Sequence, residues 1–373
     1  MKKDLWYAVW TLVGVTVGAG LIGMPYVLFK SGFFTGLIVI ITVGLIMLLV
    51  NLYLSEILLR TNGVHQLSGL AEIYFGKYVK HFVFFFDAIS IYGALVAYII
   101  GAGETLYTIF NYGNAFYYSL AFIVFAGSII FFNLNIFKNA EFFLNPLKLG
   151  ILFLVCFFIF PYIHIYNLIG FNIKNILIPY GVVVFAFTGI SVIPEMSYEL
   201  KNKKNLKKAV VYAMLITVFV YIIFSFTVLG VAGNKISPIA TVAIKNILGG
   251  VYGVMANLFT LLALSTAFVG LGFALKENFI LDYKLNKKIS WFFIVFIPLL
   301  IFLFNLGNFI SFLEISGAIG VGMLLFFIII MHSKAKKLGK RKPEFEIKEN
   351  LILKLILVLL ILIGIIYVIG GMV

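Results

Sequence analysis

The chain has 373 residues, of which 63% are hydrophobic, 17% aromatic and only 11% charged, and its formal net charge is +14. Soluble domains carry about 25% charged residues, so a chain with this composition and a mean hydropathy of +1.14 cannot cover a surface in water and belongs in a membrane. Its single cysteine, Cys156, excludes an internal disulfide.

About eleven apolar segments have the roughly 20-residue length that crosses a hydrocarbon core of about 30 Å. They lie at roughly 5–29, 34–59, 81–110, 115–134, 142–163, 175–198, 208–232, 249–279, 289–306, 309–332 and 351–371. The first is too long for a signal-peptide core and lacks a small-residue cleavage site, so it reads as a retained span. It contains GVTVGAGLIGMPYV, with Gly14, Gly18, Gly20, Gly23 and Pro25. Glycine costs about 1 kcal/mol and proline about 3 kcal/mol relative to alanine inside a helix. That density marks a helix that opens part-way across. In the third span Ser90, Gly93, Ala94, Ala97 and Gly101 form a small-residue face, with Tyr92 near its middle.

The fifth span, LNPLKLGILFL, carries Lys148, and Glu141, Asn145 and Lys148 share one helix face. A lysine at mid-helix costs about 2.5 to 3.5 kcal/mol on insertion scales. It either snorkels to the nearby end or works inside the bundle. In the eighth span ALSTAF brings Ser265 beside Thr266. Their hydroxyls either bond their own backbone or offer oxygens to a cation. The other connections are short, and 333–350 (SKAKKLGKRKPEFEIKEN) is the one extended polar linker before the eleventh apolar segment.

Lysine and arginine accumulate in cytoplasmic loops. With the N-terminus inside, Lys2, Lys3, Arg60, Lys77, Lys80, Lys138, the cluster from Lys201 to Lys208, Lys284, Lys287, Lys288 and the run from Lys334 to Lys342 share one side. Only Lys30, Lys174, Lys235 and Lys245 fall on the other. This predicts a multi-pass protein of the cell membrane with the N-terminus cytoplasmic and the C-terminus outside. The positive charge then follows from topology and anionic headgroups rather than from nucleic acid.

Gly18–Pro25 (GAGLIGMP) aligns with Phe187–Pro194 (FTGISVIP), matching Gly20 to Gly189 and Pro25 to Pro194. An odd number of spans separates the two, so the second copy runs the opposite way, as in transporters built from inverted repeats with discontinuous helices. The chain then divides into a ten-helix core at 1–332, with repeats at about 1–163 and 171–332, a cytoplasmic linker at 333–350 and an eleventh helix at 351–373. Broken helices survive in hydrocarbon only where they are buried or line a cavity. Helix N-terminal amides suit a carboxylate, and C-terminal carbonyls suit an ammonium or metal cation. Both at close range match a zwitterion, meaning a free amino acid. The alternative is that Gly18, Gly20 and Gly23 serve close helix packing alone.

These residues carry a family resemblance. VGAGLIGMPYVLFKSGFFTG (17–36), YIIGAGE (98–104) and FAFTGISVIPEMSYELKNKKNLKKAV (185–210) resemble the first, third and sixth helices of the amino acid/auxin permease family, within the amino acid–polyamine–organocation superfamily. The third-helix motif, YIIGAGE, ends in Glu104 where that family more often has aspartate. A closer relation to the hydroxy/aromatic amino acid permeases, which share the fold, stays open. The resemblance covers the first ten helices. It implies an all-α, LeuT-like five-plus-five fold with broken first and sixth helices, and secondary active transport of amino acids by alternating access. The substrate positions it implies are Gly18, Ala19, Gly20, Leu21, Gly23, Tyr92, Phe187, Thr188, Gly189 and Ile190. Tyr92 is placed to touch the carboxylate and Phe187 to cap the pocket, with packing the plainer role for each.

Lys148 resembles the fifth-helix lysine of some proton-coupled members, whose ammonium takes the place where relatives bind sodium. A desolvated lysine gives up its proton more readily. Ser265 and Thr266 resemble the hydroxyl ligands of that sodium site, completed by carbonyls from Gly18 to Leu21. The two cations exclude each other, and proton coupling is favoured because a buried lysine needs a reason. Glu56, Glu104, Glu277 and Glu314 read as interfacial or loop-pairing groups near span ends, and Glu195 as a partner of the basic loop. His65, His81, His164 and His332 read as loop or edge residues, giving no histidine proton relay and no metal-ligand spacing. No acidic residue is placed beside the breaks, so neutral amino acids are the default substrates. No nucleophile or acid–base cluster shares a depth, so no enzyme and no cofactor are expected, and an inverted repeat within one chain does not resemble a channel filter. Sodium-coupled symport and a transporter-like amino acid sensor are the alternatives.

Overall fold

A computed structural model describes residues 2–132 and 134–371, and among these the chain is helical with no strand. The first apolar segment is two helices, α1 (Lys2–Thr16) and α2 (Ala19–Ser31), bent by 52°. The opening lies at Gly18, at φ −134° and ψ −143°, whose N–H turns back to Thr16 O at 2.9 Å and ends α1. Pro25 is not the breaker, since it sits inside α2. The sixth segment is likewise divided into α8 (Tyr180–Ala186) and α9 (Ile193–Glu199).

Behind each broken helix the elements recur in order and length. After α2 come α3 (Phe33–Arg60, 28 residues), α4 (Leu67–Phe75, 9), α5 (Lys77–Phe110, 34), α6 (Ala115–Phe131, 17) and α7 (Leu134–Ile159). After α9 come α10 (Asn205–Ala232, 28), α11 (Ala240–Leu248, 9), α12 (Gly250–Leu281, 32) and α13 (Lys287–Leu303, 17). Then α14 (Phe309–Glu314) runs through a π-helical stretch, Ile315–Val321, into α15 (Gly322–Leu338), and α16 (Leu351–Gly370) follows. Each of the eleven expected segments is therefore helical, whole or broken. Among the described residues seven helices are long and apolar enough to cross a membrane, and the bent pair α1–α2 counted as one span makes eight. The helices α6, α13, α8 and α9 are shorter than that. The short α4 and α11 were not expected, because nine residues between two spans leave no apolar signature of their own.

The centre is α5, which packs on α4, α6, α12, α13, α14 and the π-helical stretch. Its small-residue face serves this packing. A Cβ on Gly93 would lie 3.2 Å from Ser316, and one on Gly101 would lie 2.9 Å from Phe309. On the other side α10 packs against α1, α2 and α3. The last helix, α16, lies outermost against α15 and α8, with Leu351, Ile352, Leu355, Leu359 and Ile366 exposed, as suits a lipid-facing surface.

Two expectations about span ends are overturned. Glu56 in α3 and His332 in α15 are not interfacial; both are fully buried, with His332 Nε2 2.9 Å from Glu56 Oε2. The carboxylate is tolerated because it is saturated with donors, taking Arg60 Nε–H at 2.9 Å and the Ile347 amide at 2.8 Å, while the His332 ring stacks on Tyr53 at 4.2 Å. The segment after α15 docks on the bundle rather than hanging free. The Arg341 amide donates to Arg60 O at 3.2 Å, its guanidinium to Leu59 O at 3.0 Å, and Arg60 pairs with Glu346 at 2.9 Å. Removing one partner from a buried ion pair costs about 3–5 kcal/mol. Glu56→Ala should therefore lower the melting temperature in detergent by several degrees and by more than Glu56→Gln, which keeps an acceptor oxygen. Equal melting of the two variants would show that the carboxylate does not hold this end together.

Candidate functional site

The two breaks meet. Gly20, in the first turn of α2, lies so close to the end of α8 that a Cβ on it would sit 2.5 Å from Ala186 Cα. Between the breaks is a narrow cavity of about 30 Å³. The first segment contributes Thr16, Gly18, Ala19 and Gly20 to its wall, the sixth Thr188, Ile190 and Ser191, and α5 adds Asp87, Ser90 and Tyr98. That space takes a water or two, whereas small-molecule pockets run to about 300 Å³ or more. An organic ligand enters only when the helices part.

Thr16, Asp87, Ser90, Tyr98, Thr188 and Ser191 give the wall polar side chains, and backbone groups add to them. Gly18 caps α2 without a side chain, so the first amides of α2 have no side-chain acceptor and point positive charge inward. Thr16 and Ala186, the last residues of α1 and α8, present carbonyls at the negative helix ends. Both carbonyls reach one hydroxyl, that of Tyr221 on α10, at 2.6 Å and 2.5 Å. Ser191 Oγ is buried on the wall with no protein hydrogen bond.

Of the substrate positions expected from the sequence, Gly18, Ala19, Gly20, Thr188 and Ile190 line the cavity. The others pack beside it. Leu21 is fully buried, Gly23 faces Leu313 and Ile310, Gly189 faces Leu12, and the Phe187 ring lies against Tyr221 with centroids 4.8 Å apart. Tyr92 is off the wall with its hydroxyl buried, while Tyr98 on the same helix is on it. An acidic group was not expected there, yet Asp87 lines the cavity and accepts from Asn278 Nδ2 at 2.7 Å. Asp87, Tyr98, Ser191 and Tyr221 were missed because nothing in their local sequence separates them from packing residues.

Lys148 is fully buried and does not snorkel. Its Nζ donates to Gly14 O at 2.8 Å and to Thr266 Oγ1 at 3.5 Å, joining α7 to α1 and α12. Thr266 Oγ1 itself donates within its own helix, to Leu262 O at 2.9 Å. The backbone-bonding role and the cation-facing role thus coexist in one hydroxyl. Gly14 permits the approach, since a Cβ there would lie 1.9 Å from Asn145 Nδ2. Ser265 is half-buried. The side chain of Glu141 lies outside the described residues.

A family model described as the tryptophan/tyrosine permease family matches residues 1–369. The chain belongs to the tryptophan/tyrosine permease family. By its description this family is akin to the aromatic amino acid permeases left open above. Glutamine transporter 2 of Aliivibrio fischeri is 25% identical over 94% of this chain and 93% of its own length. Tyrosine-specific transport system 1 of Haemophilus influenzae is 27% identical over the same shares. Among solved structures, MhsT in complex with L-phenylalanine superposes with a TM-score of 0.72 at 15% identity, covering 97% of both chains. A manganese transporter of Eremococcus coleocola reaches 0.69 at 16% identity, covering 100% of this chain and 88% of that one. At such identities these structures share the fold alone. The protein is a membrane permease and not an enzyme.

In this permease the contact between breaks leaves no room at Gly20, whereas a Cβ on Gly18 meets Ala267 at an ordinary 3.4 Å. Overpacking costs about 1–3 kcal/mol. Gly20→Ala should therefore melt lower than Gly18→Ala in detergent, and the reverse order would contradict the close approach of α2 to α8.

Proposed function

We propose that this permease is a proton-coupled symporter of neutral amino acids, aromatic ones foremost, working by alternating access. The observation that carries the reading is the Lys148 ammonium, buried between the Gly14 carbonyl and the Thr266 hydroxyl. A lysine is tolerated at such depth when it has work to do, and one that can lose its proton there alternates between a charged form that grips α1 and α12 and a neutral form that does so less strongly. The sodium alternative needs Gly18, Leu21, Ser265 and Thr266 as ligands. An ammonium within 3.5 Å of Thr266 Oγ1 opposes a second cation at that hydroxyl.

The substrate class rests on the breaks. The α2 amides suit a carboxylate and the Thr16 and Ala186 carbonyls suit an ammonium, so the pair suits an amino acid in its zwitterionic form. The family description and the tyrosine-specific relative favour aromatic side chains, and the glutamine relative favours neutral ones more broadly. The recurring order of a broken helix followed by long, short, long and 17-residue helices supports repeats at about 1–163 and 171–332, joined by a 333–350 linker to the last helix. The one-sided distribution of lysine and arginine supports a cytoplasmic N-terminus.

Uptake of labelled L-tyrosine, L-tryptophan, L-phenylalanine and L-glutamine into proteoliposomes tests this, under an imposed proton gradient or an imposed sodium gradient. The native protein should concentrate at least one of them on protons alone, and Lys148→Ala should lose proton-driven uptake at least tenfold. Sodium-driven uptake that ignores Lys148→Ala would replace proton by sodium coupling. Folded protein that concentrates none of them under either gradient would leave a sensor in place of a symporter.

A further inference from the structure

The hydroxyl of Tyr221 donates to the two carbonyls to which the function proposed above assigns the substrate's ammonium group. Tyr221 is fully buried on α10, its ring against Phe187, and its Oη is 2.6 Å from Thr16 O and 2.5 Å from Ala186 O. These carbonyls end the two half-helices that the breaks expose. A phenol has one hydrogen, so it serves both acceptors only by sharing it. An ammonium has three donors and a full charge, and charge-assisted bonds of this kind are roughly twice as strong as neutral ones. The hydroxyl is therefore a weaker, replaceable partner for the same two oxygens.

We propose that Tyr221 is a positioning residue that holds the Thr16 and Ala186 carbonyls together in the unloaded permease and yields them to the ammonium of the bound amino acid. The inference rests on the amino acid transport reading. A symporter must also return empty, and an empty site that closes buries these carbonyls away from water. Without the hydroxyl Thr16 O keeps the Gly18 N–H at 2.9 Å, but Ala186 O loses the donor that Tyr221 supplies, and a buried carbonyl without a donor is costly. A side chain that supplies the donor only while substrate is absent lets the empty carrier close, and being weaker than an ammonium it does not block loading. The neighbouring Thr217 does not share this role, because its hydroxyl meets the Thr16 side chain at 3.0 Å and not the carbonyls.

The test separates two fluxes in proteoliposomes, using the same four labelled amino acids. Exchange, with amino acid on both sides, needs no empty return; net uptake on a proton gradient needs one every cycle. Tyr221→Phe keeps the ring and loses the donor. It should leave exchange within about twofold of native, lower the KM for exchange because no hydroxyl has to be displaced, and slow net uptake at least fivefold. Thr217→Val should leave the ratio of the two fluxes unchanged. A Tyr221→Phe permease in which both fluxes fall equally, or neither changes, overturns the proposal. Should Tyr221→Phe not fold, 4-aminophenylalanine introduced at position 221 supplies two N–H donors, one for each carbonyl, and is expected to raise the KM for exchange; an unchanged KM overturns the proposal as well. A native protein that exchanges none of the four amino acids brings down the transport reading itself, and the role of Tyr221 with it.

Discussion

In hydrocarbon a backbone amide or carbonyl has no water to turn to, and the rest of this structure is arranged around that constraint. The chain opens its backbone at Gly18 and again between Ala186 and Ile193, and each opening has to be closed by something from elsewhere in the fold. Part of the closure is local, as where Gly18 N–H turns back to Thr16 O. The rest comes from Tyr221 of α10, whose hydroxyl reaches Thr16 O and Ala186 O, while Thr217 one turn earlier meets only the Thr16 side chain. The seventh span is thereby tied to both breaks. Gly20 against Ala186 brings the breaks into contact, so a change at one is felt at the other.

The buried lysine extends the same logic to charge. Its partner on α1 is the carbonyl of Gly14, one turn before the break, where a glycine lets Asn145 of α7 approach. The α1 half-helix is therefore held from one side by a tyrosine hydroxyl at its last residue and from another by an ammonium two residues earlier. Under the proposed mechanism one contact answers to substrate and the other to a proton. Coupling then requires no long path between them. The two ligands act on carbonyls two residues apart in sequence and on the same short helix.

Much of this was legible in the sequence for a simple reason: apolar length and glycine density are local properties. The eleven segments, the break in the first helix, its partner in the sixth and the questionable lysine all follow from residues read in order. The failures have a common physical origin as well. The glycine-dense stretch from Gly18 to Gly23 marked the break, and the bend sits at its first residue, Gly18, while α2 runs on through Gly20, Gly23 and Pro25 because packing rather than glycine content decides where the helix resumes. Glu56 and His332 looked interfacial because neither shows its partner locally; they are 276 residues apart and become a buried pair only when α3 meets α15. Tyr221 and Tyr98 could not be told from the other tyrosines, since a phenol's role depends on which carbonyls the fold brings to it and not on its neighbours in sequence.

The buried pair at the far end is not remote from the breaks in mechanical terms. The helix that carries His332 continues directly from the π-helical stretch, where the fold leaves no slack: a Cβ on Gly317 would lie 2.0 Å from Gly181 O in α8, and Ser316 Oγ donates to Ser90 O in α5, beside the cavity. Packing this close transmits displacement rather than absorbing it. When α8 moves to admit a ligand, either the π-helical stretch moves with it or the contact at Gly317 must open. At its other end the same helix is bound through His332 to Glu56, and Glu56 in turn holds the amide of Ile347 in the docked segment after α15. The cavity and the basic end of the bundle are thus joined through one continuous helical element, from α14 through the π-helical stretch into α15.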